Sequence, residues 1–301
     1  MVKLIDFFRL IRFKNLLIIT LSQYLVRYAL IIPMTESRSL TDLQFFFLVL
    51  STVCIAAAGY IINDYFDTQV DRLNQRKVII DNTIKRREAI LWHFILSGIG
   101  VSVGFYLGWK VGIPNLGFIN LFSSTALWFY STNMKKAYLS GNLIISLLAA
   151  LTLFIVPMYD IIPNPEVNGE LAFYLICFYS IFAFVTTFIR EIIKDFEDQF
   201  GDSKMGYNTF AIVSGKTAKI TIQTISILLI LSIGYIISLQ LRYDELYAPL
   251  YVLLTIELPL IYFFIKLKKA NDKKTYHQLS QLIKLIMLTG TLSILVFTLL
   301  F

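Results

Sequence analysis

Nine stretches of roughly twenty mostly apolar residues follow one another along this 301-residue chain, at about 15–33, 43–63, 90–110, 112–130, 138–158, 171–193, 217–239, 247–267 and 280–301. A run of that length crosses the hydrocarbon core of a bilayer as a helix. Inside lipid every backbone group must be satisfied internally, which leaves helices as the form such runs take. The apolar set reaches 57% of the chain and charged residues only 16%, against about 25% charged in an ordinary soluble domain. With a mean hydropathy of +0.69, a soluble globular fold is excluded. The expectation is an all-α, polytopic membrane protein, about nine transmembrane helices around a central cavity, forming a single domain over residues 1–301.

Ahead of the first span, Leu4, Phe7, Phe8 and Ile11 stand at helical spacing with Lys3, Asp6 and Arg9 between them. The pattern predicts an amphipathic helix lying on the membrane surface, and it lacks the small-residue cleavage site of a signal peptide. Lys and Arg are retained on the cytoplasmic side. With nine spans, 22 of the 27 basic residues fall on the side of the N-terminus; Arg27, Arg38, Lys110, Arg242 and Lys284 are the exceptions. The N-terminus and the loops after even-numbered spans are therefore expected in the cytoplasm, with the C-terminus outside. A net charge of +7 is accounted for by topology and a polyanionic ligand, and requires no nucleic acid. Cys54 and Cys177 both lie in apolar runs, so neither a disulfide framework nor a zinc cluster has support.

The acids are few and clustered. After the second span comes Asn63-Asp64-Tyr65-Phe66-Asp67-Thr68-Gln69-Val70-Asp71, and after the sixth Arg190-Glu191-Ile192-Ile193-Lys194-Asp195-Phe196-Glu197-Asp198-Gln199-Phe200-Gly201-Asp202. Asp64, Asp67 and Asp71, and again Asp195, Asp198 and Asp202, step by three and then four residues, which sets each triplet on one face of a helix. Matching members are 131 residues apart, a trace of two four-helix halves at about 15–130 and 138–267 followed by a ninth helix at 280–301. Like charges on one helix face repel unless a cation joins them. Mg²⁺ is the natural one, since it takes one or two carboxylates and completes its shell with water and phosphate oxygens. Two such ions would grip a diphosphate and stabilise its departure, and Arg72, Arg76, Lys77, Arg190 and Lys194 stand beside the acids to neutralise the same charge. The plain alternative is a pair of solvated acidic helix ends. Against it, Tyr65, Phe66, Val70, Phe196 and Phe200 interleave with the acids as in helices packed inside a protein.

With these residues in view, the chain resembles the UbiA superfamily of intramembrane prenyltransferases. The first signature, Asn-Asp-x-x-Asp-x-x-x-Asp, is met by Asn63, Asp64, Asp67 and Asp71. The second, Asp-x-x-x-Asp, is met by Asp198 and Asp202, with Asp195 one turn earlier and Gly206 and Thr209 following. Tyr130 with Lys135 matches a third, weaker element, and Arg12 and Asn15 resemble the Arg and Asn that open the family's first helix. The resemblance implies transfer of a prenyl group from an allylic diphosphate donor to a lipid or aromatic acceptor, with Mg²⁺ as cofactor and membrane lipids as surroundings. On it, Asp64, Asp67 and Asp71 hold one metal and Asp195, Asp198 and Asp202 the other. Asn63 is their polar partner, Tyr130 faces the allylic cation, and Arg12, Asn15, Lys77, Lys135, Arg190 and Lys194 bind substrate.

The stretch after the first signature, Lys77-Val78-Ile79-Ile80-Asp81-Asn82, lacks the Arg-Pro-(Ile/Leu)-Pro-Ser-Gly of many members, which weakens a transfer to the 4-hydroxybenzoate or 1,4-dihydroxy-2-naphthoate branches. The run from Arg190 to Asp202 is nearer the branch that adds geranylgeranyl to geranylgeranylglyceryl phosphate. A cation-coupled transporter is the rival from another class, but transporter sites sit near the midplane, where this chain carries only Glu257, read as a packing or cavity residue. A phospholipid-forming alcohol phosphotransferase fails for want of its Asp-Gly-x-x-Ala-Arg opening. His93 and His277 are read as structural.

Overall fold

The computed structural model describes residues 2–35, 38–164, 167–243 and 246–298. Among them the fold is helical throughout, with one isolated bridge between Ile80 and Ile84 in place of any strand. The predicted surface helix is α1, Val2–Leu10. The spans follow as α2 (Phe13–Met34), α3 (Asp42–Leu73), α4 (Arg86–Lys110), α5 (Gly117–Thr132), α6 (Ser140–Asp160), α7 (Val167–Lys204), α8 (Phe210–Gln240), α9 (Tyr247–Lys269) and α10 (Lys273–Thr298). Eight described helices are long and apolar enough to cross a membrane. The remaining expected crossing, α5, has 16 residues; at about 1.5 Å per residue it reaches about 24 Å.

Two helices outrun their apolar stretches. α3 has 32 residues and α7 has 38, so at about 1.5 Å per residue they extend to about 48 and 57 Å, well past a hydrocarbon core of about 30 Å. The excess is the acid-bearing end of each. The spacing that set each triplet on one helix face is thus realised in continuous helix. A capping box starts α3: Gln44 N–H donates to Thr41 Oγ1 at 3.3 Å and Thr41 N–H to Gln44 Oε1 at 2.8 Å. At its far end Gln75 takes a left-handed φ of 59° and stops it.

The chain forms two compact units, residues 1–135 with 150–180 and residues 136–149 with 181–301. In the first, small residues let helices approach closely, as is common between membrane helices. A Cβ on Gly100 would lie 2.5 Å from Ile55 of α3, and one on Gly104 would lie 2.4 Å from Asn120 of α5. The closeness supports a buried polar network. Asn120 Nδ2 donates to Ser51 Oγ (2.7 Å), Ser51 Oγ donates to the Gly100 carbonyl (2.6 Å), and the Tyr159 hydroxyl reaches both Gly104 O (3.0 Å) and Asn120 Oδ1 (3.1 Å). Near the acid-bearing end of α3, Leu10, Ile11, Leu16, Ala57, Ile61, Ile79, Ile80, Ile84 and Ala89 form a separate apolar cluster. Leu4, Ile5 and Phe8 stay exposed on the other side of α1, as does Phe13 at the start of α2, the disposition expected of an interfacial helix.

In the second unit, Ile189, Ile192 and Ile193 of α7 pack with Phe210, Ala218 and Ile222 of α8, Leu260 and Phe263 of α9, and Leu279, Ile283 and Ile286 of α10. α8 is kinked at Ser214 (φ −144°, ψ 51°), next to Gly215, a Ser/Gly pair of the sort that bends helices. A π-turn at Leu253–Glu257 interrupts α9. The Thr255 carbonyl, whose helical donor position four residues on is Pro259 and carries no N–H, accepts from Thr289 Oγ1 at 3.0 Å. Glu257 lies in the same turn, buried.

The N-terminus of α10 is capped by Asp272, which accepts from Thr275 N–H at 2.9 Å and Thr275 Oγ1 at 2.6 Å. These bonds hold its carboxyl below the usual carboxylate range, the Thr275 side chain contributing most. A depressed folded-state value means that the cap stabilises above the unfolded value near 4 and is lost as pH falls through the lower one. Asp272→Ala is expected to lower the melting temperature by at most about 4 °C at pH 7. The difference from the parent should vanish in acid, and scanning calorimetry at both pH values checks it.

Candidate active site

In the first unit, the three carboxylates at the end of α3 are each matched by a base from a different segment. Arg12 Nη2 lies 3.0 Å from Asp64 Oδ1, Lys135 Nζ is bonded to Asp67, and Arg76 Nη1 is 3.5 Å from Asp71 Oδ1. The Arg12 guanidinium also sits over the Tyr60 ring, 4.9 Å from its centroid, and Asn15 Nδ2 reaches the Tyr60 hydroxyl at 3.4 Å. Arg12 occupies the break between α1 and α2 with φ 50° and ψ 52°. A left-handed backbone costs a non-glycine residue roughly 1–2 kcal/mol, and here it brings the side chain back onto α3. Tyr130 is half-buried and close enough to act on the charge of Arg12. The structure thus gathers Arg12, Asn15, Asp64, Asp67, Asp71, Tyr130 and Lys135. Lys77 is the exception: its ammonium lies 2.9 Å from Asp6 Oδ1, a pairing that nothing in the sequence signalled.

In the second unit, Asp195 Oδ2 accepts from Asn142 Nδ2 at 2.9 Å, and Asp198 stands half-buried and Asp202 buried one and two turns further along α7. Arg190 Nη1 and Lys194 Nζ both turn to Glu191, at 3.1 and 3.2 Å. Glu191 is buried and lies four residues before Asp195. Its place on the acid face of α7 was therefore legible, whereas Asn142, on α6, carries no signal in its own segment. A cleft of about 390 Å³ opens on a different side of the same helix end, with Phe196, Glu197, Phe200, Lys273 and Tyr276 among its walls.

Among the described residues no three acidic, histidine or cysteine side chains converge on a point. In the first unit the reason is visible, since each carboxylate has turned toward its own base. The donor set itself fits a hard divalent cation. Every candidate ligand is an oxygen, and Asn63 Oδ1, next to Asp64 in sequence, is buried with no hydrogen-bond partner. An orphaned buried acceptor of that kind costs about 1–3 kcal/mol and is relieved by a cation or a donor.

Helices long and apolar enough to cross a membrane many times define a multi-pass integral membrane protein, and in each unit one of them runs on into a face of aspartates with Arg and Lys beside it. The profile of the UbiA prenyltransferase family matches residues 25–288. Digeranylgeranylglyceryl phosphate synthase from Methanothermobacter thermautotrophicus is 32% identical over 80% of this chain and 81% of its own length. The enzyme of the same description from Ignicoccus hospitalis is 33% identical over 55% of this chain and 52% of its own. A solved structure, reported with insights into the biosynthesis of digeranylgeranylglyceryl phosphate synthase in membranes, aligns over the whole of both chains with a TM-score of 0.69 at 23% identity, which shows the shared fold. The chain belongs to the UbiA prenyltransferase family, and it is a prenyltransferase. The transporter reading of the acid clusters is thereby set aside.

Proposed function

We propose that this prenyltransferase moves a geranylgeranyl group from its diphosphate to the free hydroxyl of geranylgeranylglyceryl phosphate. The observation that carries the proposal is the match over four-fifths of both chains to an enzyme described as making the doubly prenylated product. The loss of the Pro and Ser-Gly positions after the first signature points the same way, against the aromatic acceptors.

Asp64, Asp67 and Asp71, with Asn63 Oδ1, would hold one Mg²⁺, and Asp195, Asp198 and Asp202 a second. When bound, the ions neutralise the leaving diphosphate and lower the barrier to its departure. Each first-triplet carboxylate is counterbalanced by a base, a role that a cation held by the same carboxylates would take over. Arg12 and Lys135 would then serve the donor's phosphate oxygens, a charge-assisted contact that strengthens as the leaving group gains charge. Arg190 and Lys194 are tied to Glu191 in the same manner. As the allylic C–O bond breaks, its electron pair goes to the diphosphate. The acceptor hydroxyl oxygen forms the new ether bond to the allylic carbon, and its proton passes to the departed diphosphate. Tyr130 lends its ring to the allylic cation, and the apolar surroundings exclude the water that would otherwise capture it. The basic-residue bias supports a cytoplasmic side for these helix ends and the N-terminus.

The test is a parallel assay of the purified protein with Mg²⁺ and geranylgeranyl diphosphate, offering geranylgeranylglyceryl phosphate, 4-hydroxybenzoate and 1,4-dihydroxy-2-naphthoate, with products read by mass spectrometry. Product from the glycerol phosphate alone is expected. Prenylation of an aromatic acceptor in its place would move the enzyme to the quinone-forming branches.

A further inference from the structure

An interfacial helix has no obvious reason to bury an acid, yet Asp6 of α1 is 3% exposed. Its Oδ1 accepts from Lys77 Nζ at 2.9 Å and from Arg9 Nη1 at 3.2 Å, and its Oδ2 from Thr83 Oγ1 at 2.9 Å. Lys77 and Thr83 bracket the loop that follows the first aspartate signature. That loop keeps its own shape: Thr83 N–H donates to the Ile79 carbonyl (2.9 Å), Asp81 N–H to Ile84 O (3.0 Å) and Asn82 Nδ2 to Val78 O (2.7 Å). Its apolar members Ile79, Ile80 and Ile84 pack with Leu10 and Ile11 from the end of α1. One carboxylate therefore fastens α1 and the loop into a single body, and the bonds from Lys77 first and Thr83 next hold its carboxyl below the usual range. Two residues beyond this packed end stands Arg12, whose left-handed backbone aims its guanidinium at Asp64.

We infer that Asp6 is a positioning residue for the diphosphate site: by clamping α1 to the 77–84 loop through Lys77 and Thr83, it holds Arg12 in register with Asp64. In this arrangement Lys77 is part of the clamp and does not touch the diphosphate. The inference rests on the reading of Asp64 as part of the donor site given above. Physically, a buried carboxylate is stable only while its donors are present. Removing it frees the loop and with it the end of α1, and the left-handed turn at Arg12, strained by itself, is no longer imposed.

The test is a double-mutant cycle on the full-length enzyme in detergent, with separate KM values for prenyl diphosphate and acceptor. Asp6→Ala is expected to raise the donor KM about tenfold, the lower end of what loss of an outer-shell partner costs, with the acceptor KM unchanged. Lys77→Met should give the same split, and the double variant should be no worse than either single one, since both remove one clamp. Asp6→Glu should recover most of the donor affinity. Trypsin cleavage after Arg76 should quicken in Asp6→Ala, reporting loop release independently of activity. If Asp6→Ala proves too unstable to purify, Thr83→Val paired with Lys77→Met runs the same cycle. Losses that multiply in the double variant would make Lys77 a diphosphate ligand and overturn the proposal. So would an unchanged donor KM in Asp6→Ala. Should Asp64→Asn also leave the donor KM and turnover intact, the failure would belong to the donor-site reading and not to the clamp.

Discussion

Asp64→Asn and Asp198→Asn are each expected to lower turnover about 10²–10³-fold, the scale on which losing one stabiliser of transition-state charge is felt, while leaving the melting temperature unchanged or slightly raised. The two halves of this expectation have separate causes. Asn keeps the size of Asp and can still accept a hydrogen bond, but it gives up the charge that a divalent ion requires. In the resting protein that charge does little for the fold. The Arg12–Asp64 pair is partly solvated, with side chains 39% and 22% exposed, and such pairs contribute at most about 1 kcal/mol. Asp64 also shares a helix face with Asp67 and Asp71, and like charges at that spacing repel; removing one relieves the others. Product formation under saturating donor with an Mg²⁺ titration, alongside thermal unfolding, separates the effects. A loss of turnover with a raised Mg²⁺ requirement and an intact fold assigns the residue to the metal. Full activity in both variants would remove the aspartates from the site.

What was legible in the sequence follows from which periodicities a membrane leaves intact. The span positions hold to within a few residues at most boundaries because a run of apolar residues has no soluble alternative, and the aspartate triplets came through because a three-four spacing is a helix face wherever the helix ends. The partners of those residues were hidden. In water a polar residue on an apolar face advertises burial, but in lipid both the packed and the lipid-facing sides of a helix are apolar, so periodicity does not say which side meets protein. Lys77 therefore read as one more base near the acids, though its ammonium rests on Asp6. Asn142 gave no sign of meeting Asp195. Arg27 stood among the five bases that broke the topology bias, and its actual environment is the least expected feature of the first unit.

Arg27→Met is expected to destabilise the protein by about 3–5 kcal/mol, the scale for breaking a buried ion pair from one side. Arg27 is fully buried in a π-turn of α2, Val26–Ile31. Its Nη1 is 3.4 Å from Asp160 Oδ2, in which both side chains have no exposure, and its Nη2 donates to the Leu40 carbonyl at 2.7 Å and to Asp42 at 3.2 Å. The guanidinium lies over the Phe45 ring, 4.5 Å from the centroid. Asp160 in turn accepts from the Leu40 N–H at 3.0 Å, so the pair joins the end of α6 to the turn entering α3. Methionine fills much of the arginine stem's volume and leaves the loss chiefly electrostatic: an Asp160 carboxylate stranded without its cation. That cause makes a second outcome predictable. Adding Asp160→Asn to Arg27→Met keeps an oxygen for the Leu40 N–H and removes the stranded charge. The double variant should regain most of the lost stability, with a coupling of about 1–3 kcal/mol between the two sites. Denaturant unfolding of the parent, both single variants and the double one in a single detergent measures that coupling. Additive losses would mean that Arg27 holds the turn through Leu40 and Asp42 alone, with Asp160 contributing only its bond to the backbone.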